Sequence, residues 1–270
     1  MTALLNISDL EVVAPHNGGS PQARLLVGVS LSLAEGQAVG ITGASGAGKS
    51  TLLATLIGMV DPTLVTTGTV SFGQDKLIHD GHSNQETQRS VRGSDIALIR
   101  QNPHETLHPM YKMMRQVSEH VRIRQNLSRS EAKSVALDAL AEAGFSDPAQ
   151  IAKKYAHQLS GGEAQRVCLA QALVSNPKVL LADEVFSAVD GATEQDLIEA
   201  IKNRLAKGMG LLCVSHDLQL LSGLCDRLAV LHQGSLVEQG PVEDVLAAPA
   251  HPHTQALVKA ERTLTGCGDG

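Results

Sequence analysis

The sequence predicts an α/β fold in which helices cover a mainly parallel β-sheet. Short apolar runs of strand length alternate with segments of helical periodicity, which is the pattern typical of parallel sheets. A glycine-rich loop separates one of these strands from a helix, and a mostly helical stretch at residues 102–157 interrupts the alternation. We therefore expect a sheet-based core that is interrupted by a mostly helical insertion.

The N-terminal part is predicted to hold strands at residues 4–13, 25–33 and 38–42, because these runs are apolar and bounded by turns. A helix should follow the glycine loop, over residues 49–59. Residues 66–101 are predicted to form short strands and polar loops.

The inserted stretch carries a helix-start signal. Ser128 and Glu131 have the spacing of a capping box, apolar positions follow at helical intervals, and Gly144 stands where that helix would end. The alternation then resumes. The predicted elements are a helix at 162–174, a strand at 179–182, a helix at 193–205, a strand at 211–214 and a hairpin at 227–238.

Composition narrows the class of protein. The 270 residues are 43% hydrophobic and carry a formal net charge of −6, which suits a globular core and argues against a broad nucleic-acid surface. No apolar run reaches the ~20 residues of a membrane-spanning helix, and the N-terminus lacks the basic start of a secretory signal. The cysteines form no C-x-x-C pair, so we expect free thiols in a reducing compartment. They are Cys168, Cys213, Cys225 and Cys267.

The glycine loop at residues 43–51 contains the pattern G-x-x-x-x-G-K-[ST] at residues 43–50 and has the strand-to-helix context that this pattern requires. Glycines with positive φ turn backbone N–H groups toward an anion, and the helix start adds its positive dipole end. Lys49 is expected to contact the β- and γ-phosphates of a nucleotide, and the Ser50 hydroxyl to ligate Mg²⁺. The pattern is typical of P-loop NTPases, which include kinases, GTPases and motor ATPases. The expected nucleotide-binding residues are Gly43, Ser45, Gly46, Gly48, Lys49, Ser50 and Thr51.

Two acids follow the strand predicted at residues 179–182. In P-loop enzymes an acid at this place reaches Mg²⁺, directly or through water, and Asp183 fits that role. Glu184 would face the γ-phosphate and polarise the attacking water as a general base. A solvated Asp-Glu pair at a strand end is the alternative interpretation, and the phosphate loop favours the catalytic one.

A second anion nest is predicted at residues 159–166, Leu-Ser-Gly-Gly-Glu-Ala-Gln-Arg, where Ser160 and two glycines begin a helix. This run resembles the signature of the ATP-binding-cassette (ABC) family, and the resemblance covers nearly the whole chain. Gln101 resembles the family's Q-loop glutamine, His216 resembles its switch histidine, and residues 187–190, Ser-Ala-Val-Asp, resemble its D-loop. All of these motifs stand in the family's order.

The resemblance implies an ATPase with a RecA-like P-loop core that works as a head-to-tail dimer with ATP and Mg²⁺. ATP would lie between the phosphate loop of one subunit and the signature of the other, contacted in trans by Ser160, Gly161 and Gly162. The implied catalytic residues are Glu184, His216 and Gln101, the implied Mg²⁺ ligands are Ser50, Gln101 and Asp183, and the implied dimer contact is Asp190.

The resemblance also implies an order of domains. A nucleotide-binding core with an antiparallel N-terminal β subdomain would occupy residues 1–101, the helical subdomain 102–158, the rest of the core 159–240, and a short extension 241–270. Two departures from the family pattern are visible. Val185-Phe186 stands where a Pro-Thr pair usually precedes the D-loop, and Ala14 stands where an aromatic usually stacks on adenine, which leaves His16 as a candidate substitute.

Three segments resemble importers of oligopeptides, nickel and metal-chelating molecules, namely residues 101–110, 237–241 and 251–257. The first leans toward nickel or a metallophore. The third occurs whatever the cargo, so we expect no metal site at His251 and His253. The implied partners are a second identical or related ATPase subunit, two membrane permease subunits and, indirectly, a solute-binding protein. The chain would lie peripherally at the cytoplasmic face of the inner (cell) membrane.

The alternative function is that of a soluble ABC ATPase that acts on nucleic acid or the ribosome without a permease. Such proteins usually carry two cassettes, a long coiled coil or a basic surface, whereas this sequence shows one cassette at a net charge of −6. Membrane association that depends on co-expressed permease subunits would separate the two functions. The cargo is not encoded here, because the permease and the binding protein select it.

Overall fold

The structure is a computed structural model that describes residues 3–15, 23–79, 82–187 and 189–264. The backbone divides into two compact units, which are residues 1–91 with 210–270, and residues 92–209. The strands are β1 (Ala3–Val13), β2 (Arg24–Ala34), β3 (Ala38–Thr42), β4 (Val65–Phe72), β5 (Asp75–His79), β6 (His82–Ser83), β7 (Ile96–Ile99), β8 (Val179–Asp183), β9 (Gly210–Val214), β10 (Arg227–His232) and β11 (Ser235–Pro241). The helices are α1 (Lys49–Leu56), α2 (Gln85–Val91), α3 (Pro103–Thr106), α4 (Met113–Gln125), α5 (Arg129–Glu142), α6 (Pro148–Lys153), α7 (Gly161–Leu173), α8 (Gly191–Leu205), α9 (Leu218–Leu224), α10 (Val242–Ala247) and α11 (Pro252–Leu264).

An antiparallel sheet of order β2-β1-β4-β5-β6 forms part of the first unit. Buried and more exposed residues alternate along β1, because successive side chains point to opposite faces of a strand. The alternation slips at Asp9, where φ is +49° and the register with both neighbouring strands shifts. This β-bulge lets Ile7 before it and Leu10 after it both face the core. The sheet is the predicted N-terminal β subdomain.

The first unit also contains the strands β11-β10-β3-β9, of which β10, β3 and β9 run parallel. Strands β3 and β9 are buried along their whole length, as strands covered on both faces must be. The predicted hairpin is present, since β10 and β11 pair antiparallel around the turn at Gln233 and Gly234. The parallel strands end at the segments that carry the phosphate loop and His216.

The second unit contains the parallel pair β7 and β8 together with helices α3 to α8. Helix α5 begins at the predicted capping box, because Ser128 Oγ accepts the Glu131 N–H at 3.3 Å and the Glu131 carboxylate accepts the Ser128 N–H at 2.9 Å. Gly144, with φ +86°, follows the end of this helix as predicted. None of the helices that the structure describes is both long and apolar enough to cross a bilayer.

Some predicted boundaries were wrong. Helix α1 ends at Leu56 rather than at residue 59, because Gly58 adopts a left-handed conformation with φ +64°. Helix α8 begins at Gly191 rather than at residue 193, because the Asp190 carboxylate caps its first turn. The stretch predicted as strands and polar loops also contains α2, and the predicted C-terminal extension contains α10 and α11. Gln88 of α2 is buried and donates to Thr55 O at 3.1 Å, a contact that no local pattern announces.

Candidate functional site

The phosphate loop connects the buried strand β3 to α1 in the first unit. Gly43 has φ +148°, and a Cβ there would overlap the carbonyl oxygen of Leu231. Gly48 has φ +105°, and a Cβ there would lie 2.6 Å from Leu25 O. Gly46 has φ +77° with open space around it. Positive φ therefore explains why glycine stands at all three positions, and a nearby backbone carbonyl that leaves no room for a Cβ is a second reason at Gly43 and Gly48.

Lys49 and His216 meet in the first unit. Lys49 is only 7% exposed, and its ammonium donates to Gly43 O at 2.7 Å and to Ala44 O at 3.1 Å. The same Nζ lies 3.3 Å from His216 Nε2. His216 follows β9, which pairs directly with β3, so the sheet brings these two predicted residues together. The Ser45 and Ser50 side chains are exposed at the loop.

The strand-end acids lie in the second unit, directly after the buried residues of β8. Asp183 Oδ1 is buried and has no hydrogen-bond partner among the described residues. Glu184 has φ +55°, which is uncommon for a residue other than glycine and marks a strained turn of the kind found at functional sites. The prediction that two acids end this strand is confirmed, whereas their catalytic roles stay predictions.

Ser187 links Gln101 to the turn at Glu184. Its hydroxyl donates to Glu184 O at 2.9 Å and accepts from Gln101 Nε2 at 3.4 Å. The resemblance to the D-loop includes Ser187 but did not predict this bridging position. A serine three residues after Glu184 can close a turn at that residue. This spacing indicates the bridge only when the left-handed conformation of Glu184 is also known.

The predicted second nest begins α7. Ser160 Oγ accepts the Glu163 N–H at 3.1 Å, and the Glu163 carboxylate accepts the Ser160 N–H at 2.9 Å, which completes a capping box. Glu163 also pairs with Lys154 at 2.8 Å. Burial raises the pKa of Glu163, but the contacts with Lys154 and Ser160 outweigh it and hold that pKa below its usual range. The first turn of α7 therefore contains the Glu163 carboxylate beside its backbone N–H groups, and Lys154 of the same subunit balances the charge of that carboxylate.

The D-loop leads into α8. Asp190 accepts the Thr193 backbone N–H at 2.9 Å and the Thr193 hydroxyl at 3.1 Å, and these bonds lower the pKa of Asp190. Val185 and Phe186, which replace the family's Pro-Thr pair, are 3% and 7% exposed. Their side chains pack into the interior, so this departure is accommodated within the subunit. The role of Asp190 at a dimer interface stays a prediction.

The histidines near the C-terminus form a packed arrangement. The rings of His253 and His232 stack with centroids 3.9 Å apart, and the Glu238 carboxylate accepts the N–H groups of Ala250 and His251 at 2.8 and 2.9 Å. Burial, with the nearby His232 and His251, lowers the pKa of His253. Across the described residues, no group of three or more His, Cys, Asp or Glu side chains is placed to hold a metal ion.

Two of the remaining candidates fall outside the described residues, namely His16 and Cys267. Ala14, the residue at the expected adenine position, donates its N–H to Ala23 O at 2.9 Å. Cys168, Cys213 and Cys225 are buried, and burial raises the pKa of Cys168 to about 12.

A family model described as ABC transporter matches residues 26–187. The dipeptide transport ATP-binding protein DppD of Escherichia coli (strain K12) is 36% identical over 96% of this chain and 78% of its own length. The glutathione import ATP-binding protein GsiA of Salmonella typhimurium is 34% identical over 95% of this chain, which spans only 42% of GsiA.

The solved structures include similar cassettes. The dimeric post-hydrolysis state of the ATP-binding cassette MJ0796, bound to ADP and Pi, has a TM-score of 0.76 and is 26% identical. The match covers 88% of this chain and 98% of that one. Together with the antiparallel sheet, the parallel strands and the helices described above, this similarity confirms the predicted fold class.

Proposed function

Because this chain belongs to the ABC transporter family, we propose that it is the ATP-hydrolysing subunit of a multi-subunit importer that moves short peptides across a membrane. The cargo class follows from the dipeptide and the glutathione named for two relatives, both of which are short peptides. The interpretation toward nickel or a metallophore rests on residues 101–110 and stays a prediction.

The phosphate loop performs the binding step. Its glycines hold the backbone in the conformation that aims N–H groups at phosphate oxygens, and Lys49 adds a positive charge beside them. The ammonium already stands against the loop carbonyls Gly43 O and Ala44 O. Little reorganisation is therefore required when a triphosphate binds, which favours affinity. His216 lies 3.3 Å from Lys49 Nζ, and this proximity supports the proposal that both side chains would contact the γ-phosphate.

The second unit performs hydrolysis. Glu184 is the proposed general base, and Ser187 holds its turn while connecting it to Gln101. Gln101 uses its Nε2 in that link, so its Oε1 remains available as an oxygen ligand. Asp183 fits Mg²⁺, because a buried carboxylate oxygen without a partner among the described residues is the ligand type that this ion prefers. Mg²⁺ held by Ser50, Gln101 and Asp183 would neutralise charge on the β- and γ-phosphates.

The observation that carries the proposal is the open side of Gly161. A Cβ at Gly161 would meet no atom within 4 Å, and this glycine does not have a positive φ. Neither packing nor conformation within the described chain therefore requires glycine at this position. Close approach of a ligand does explain it, and the helix start beside Ser160 suits a phosphate. A second cassette would bring that phosphate, as expected for a head-to-tail dimer.

The proposed contact with the permease is the loop that precedes α4. Gln116 holds this loop by accepting the His108 N–H at 2.8 Å and by donating to His108 O at 2.9 Å and Tyr111 O at 2.8 Å. Arg115 covers the Tyr111 ring at 3.8 Å, while Met110 is 74% exposed at the tip. A rigid loop that presents an exposed apolar side chain suits a protein partner. Through it the chain would bind peripherally at the cytoplasmic face of the membrane.

Uptake by cells that lack this chain tests the proposed function. We expect uptake of radiolabelled di- and tripeptides to be lost, to return with the wild-type chain, and to stay lost with Glu184→Gln. Radioactive nickel uptake serves as the comparison, and loss of nickel uptake with normal peptide uptake would assign the cargo to the other class. Purified wild-type chain should also release phosphate from ATP, and failure to do so would contradict the proposal as a whole.

The relatives described above are transport proteins, and they favour a permease partner over nucleic acid or a ribosome. The net charge of −6 points the same way, because a nucleic-acid surface normally needs a basic face.

A further inference from the structure

The two glycines that begin α7 have different surroundings. Gly161 borders open space, as described above, whereas a Cβ at Gly162 would lie 2.7 Å from Thr193 Oγ1 and 3.1 Å from Thr193 Cγ2. Neither glycine has a positive φ, so backbone conformation does not require glycine at residue 162. The reason for Gly162 is the close approach of the Thr193 side chain.

Thr193 cannot move away easily. It is 5% exposed, and both of its donors are used by one residue. Its backbone N–H donates to Asp190 Oδ1 at 2.9 Å, and its hydroxyl donates to Asp190 Oδ2 at 3.1 Å. A change of its side-chain rotamer would break the hydroxyl bond to a charged acceptor. Gly162 therefore rests against a side chain that is itself fixed to the D-loop.

A second contact joins the same two helices one turn further along. Arg166 Nη1 donates to Asp196 Oδ2 at 2.6 Å and to Gly144 O at 3.2 Å. Arg166 and Gly162 lie on one face of α7, and Asp196 and Thr193 lie on one face of α8, because residues three or four apart share a helix face. The Arg166 pair keeps the helices together, and the contact of Thr193 with Gly162 sets the distance between their first turns.

We propose that Thr193 is a positioning residue that fixes the phosphate nest at Ser160–Gly162 against Asp190, so that the nest and the D-loop meet a second cassette as one rigid surface. Thr193 acts through Gly162 and Asp190, and it contacts neither nucleotide nor partner itself. The ligand is the triphosphate held by the second copy. This inference rests on the proposed function, because it assumes that ATP is closed between two cassettes.

The position of Thr193 determines which kinetic constant it affects. Thr193 belongs neither to the phosphate loop nor to the proposed Mg²⁺ ligands, so we expect loss of its hydroxyl to leave nucleotide binding by the open subunit unchanged. Closure onto a second copy would become less favourable, because the nest and the D-loop would no longer be held in a fixed position relative to each other. The effect should appear in turnover at saturating ATP and not in nucleotide affinity.

The first test compares Thr193→Val with Thr193→Ser in the full chain. Valine keeps the branched shape and removes the hydroxyl bond to Asp190, whereas serine keeps the hydroxyl. We expect Thr193→Val to lower ATP turnover and the fraction of ATP-induced dimer about tenfold, the size of one lost hydrogen bond to a charged group. Thr193→Ser should remain within about twofold of wild type. Fluorescent-nucleotide affinity should stay unchanged in both, and Ala192→Ser serves as an exposed control in the same turn.

The second test is a double-mutant cycle between the contacting residues. Gly162→Ala places a methyl group against Thr193 and should lower turnover, because the two helix starts must separate. In a Thr193→Ala background that methyl group has room, so Gly162→Ala should cause little further loss. Additive losses would show that Gly162 acts independently of Thr193 and would overturn the inference. This cycle remains informative if Thr193→Val proves unstable in thermal unfolding.

The outcomes separate the two proposals. Wild-type chain that neither hydrolyses ATP nor dimerises with it contradicts the proposed function. Normal wild-type behaviour together with wild-type turnover by Thr193→Val leaves the proposed function intact and overturns the role of Thr193. A fall in nucleotide affinity equal to the fall in turnover would also overturn it, because Thr193 would then support the general stability of the chain.

Discussion

The two loops that we propose to bind phosphate use glycine for different reasons. In the phosphate loop, Gly43 and Gly48 have positive φ and press against backbone carbonyls of their own unit. In the signature nest, Gly161 has ordinary helical φ and no neighbour within 4 Å. Both loops place backbone N–H groups at a helix start. The first is complete within its unit, whereas the second has one open side.

This difference fits a local role for the glycines of the phosphate loop and an external ligand at Gly161. Where conformation and packing explain the residue, its role is local. At Gly161 neither does, and in the proposed dimer the open space beside it would receive a phosphate held by the second cassette. We therefore expect the phosphate loop to bind ATP and the signature nest at Ser160–Gly162 to close that ATP against a second cassette.

The largest effect is expected from Glu184→Gln, which stops hydrolysis while both loops stay intact. An amide cannot accept the proton from water, and general bases contribute about 100-fold to 10,000-fold, so turnover should fall within that range. ATP should still bind and hold two subunits together, as measured by light scattering. Steady-state turnover near the wild-type level would remove Glu184 from the role of general base.

Alanine at Gly43 and at Gly161 should separate the two loops most directly. Gly43→Ala combines a disfavoured φ with overlap onto Leu231 O, so we expect a loss of about 3 kcal/mol in the free energy of unfolding. Gly161→Ala should leave that free energy within about 0.5 kcal/mol and yet lower turnover. Denaturant unfolding and phosphate release measure the two effects. Equal destabilisation by both changes would contradict the comparison.

Lys49→Ala should weaken ATP binding by about 2 kcal/mol, the size of a hydrogen bond between charged groups in a partly buried site. The change removes the ammonium from Gly43 O and Ala44 O but leaves the signature nest unaltered. Fluorescence titration gives the affinity. An affinity that does not change would exclude Lys49 from phosphate binding.

The smallest effect is expected from loss of a helix cap, and the chain has two similar capping boxes in which to measure it. One is Ser128 with Glu131, and the other is Ser160 with Glu163. Replacement of either serine by alanine should cost about 1 kcal/mol of unfolding free energy, because the cap of one helix is lost. Ser160→Ala should also lower turnover, since that hydroxyl is expected to face a phosphate. Ser128→Ala is the matched control and should turn over ATP normally. Parallel losses of turnover would mean that Ser160 has only a capping role.

Local signals made much of this molecule predictable. Three features depend on residues within a few positions of each other, so the sequence pattern alone predicts their conformation and hydrogen bonds. They are the phosphate loop, the signature nest and the capping box at Ser128. The buried strands β3, β8 and β9 were predictable because a short apolar run bounded by turns is typical of a buried strand and is too short for most helices.

Contacts between distant segments were not predictable. The bridge from Gln101 through Ser187 depends on the left-handed turn at Glu184, and no glycine announces that turn. The contact of Thr193 with Gly162 depends on the spacing of two helices, which the sequence does not state. Helix α2 was missed for the same reason, since its buried Gln88 is explained by a carbonyl thirty-three residues earlier.

The open side of Gly161 has a genetic consequence. If each nest closes the nucleotide of its neighbour, a lesion at Ser160–Gly162 disables the ATP bound by the other chain and leaves the altered chain's own phosphate loop competent. In a cell that makes normal and altered copies together, mixed pairs would still assemble, and the altered copy would occupy permeases. A lesion at this glycine should therefore behave as dominant, whereas a lesion that unfolds the phosphate loop should be masked by the normal copy.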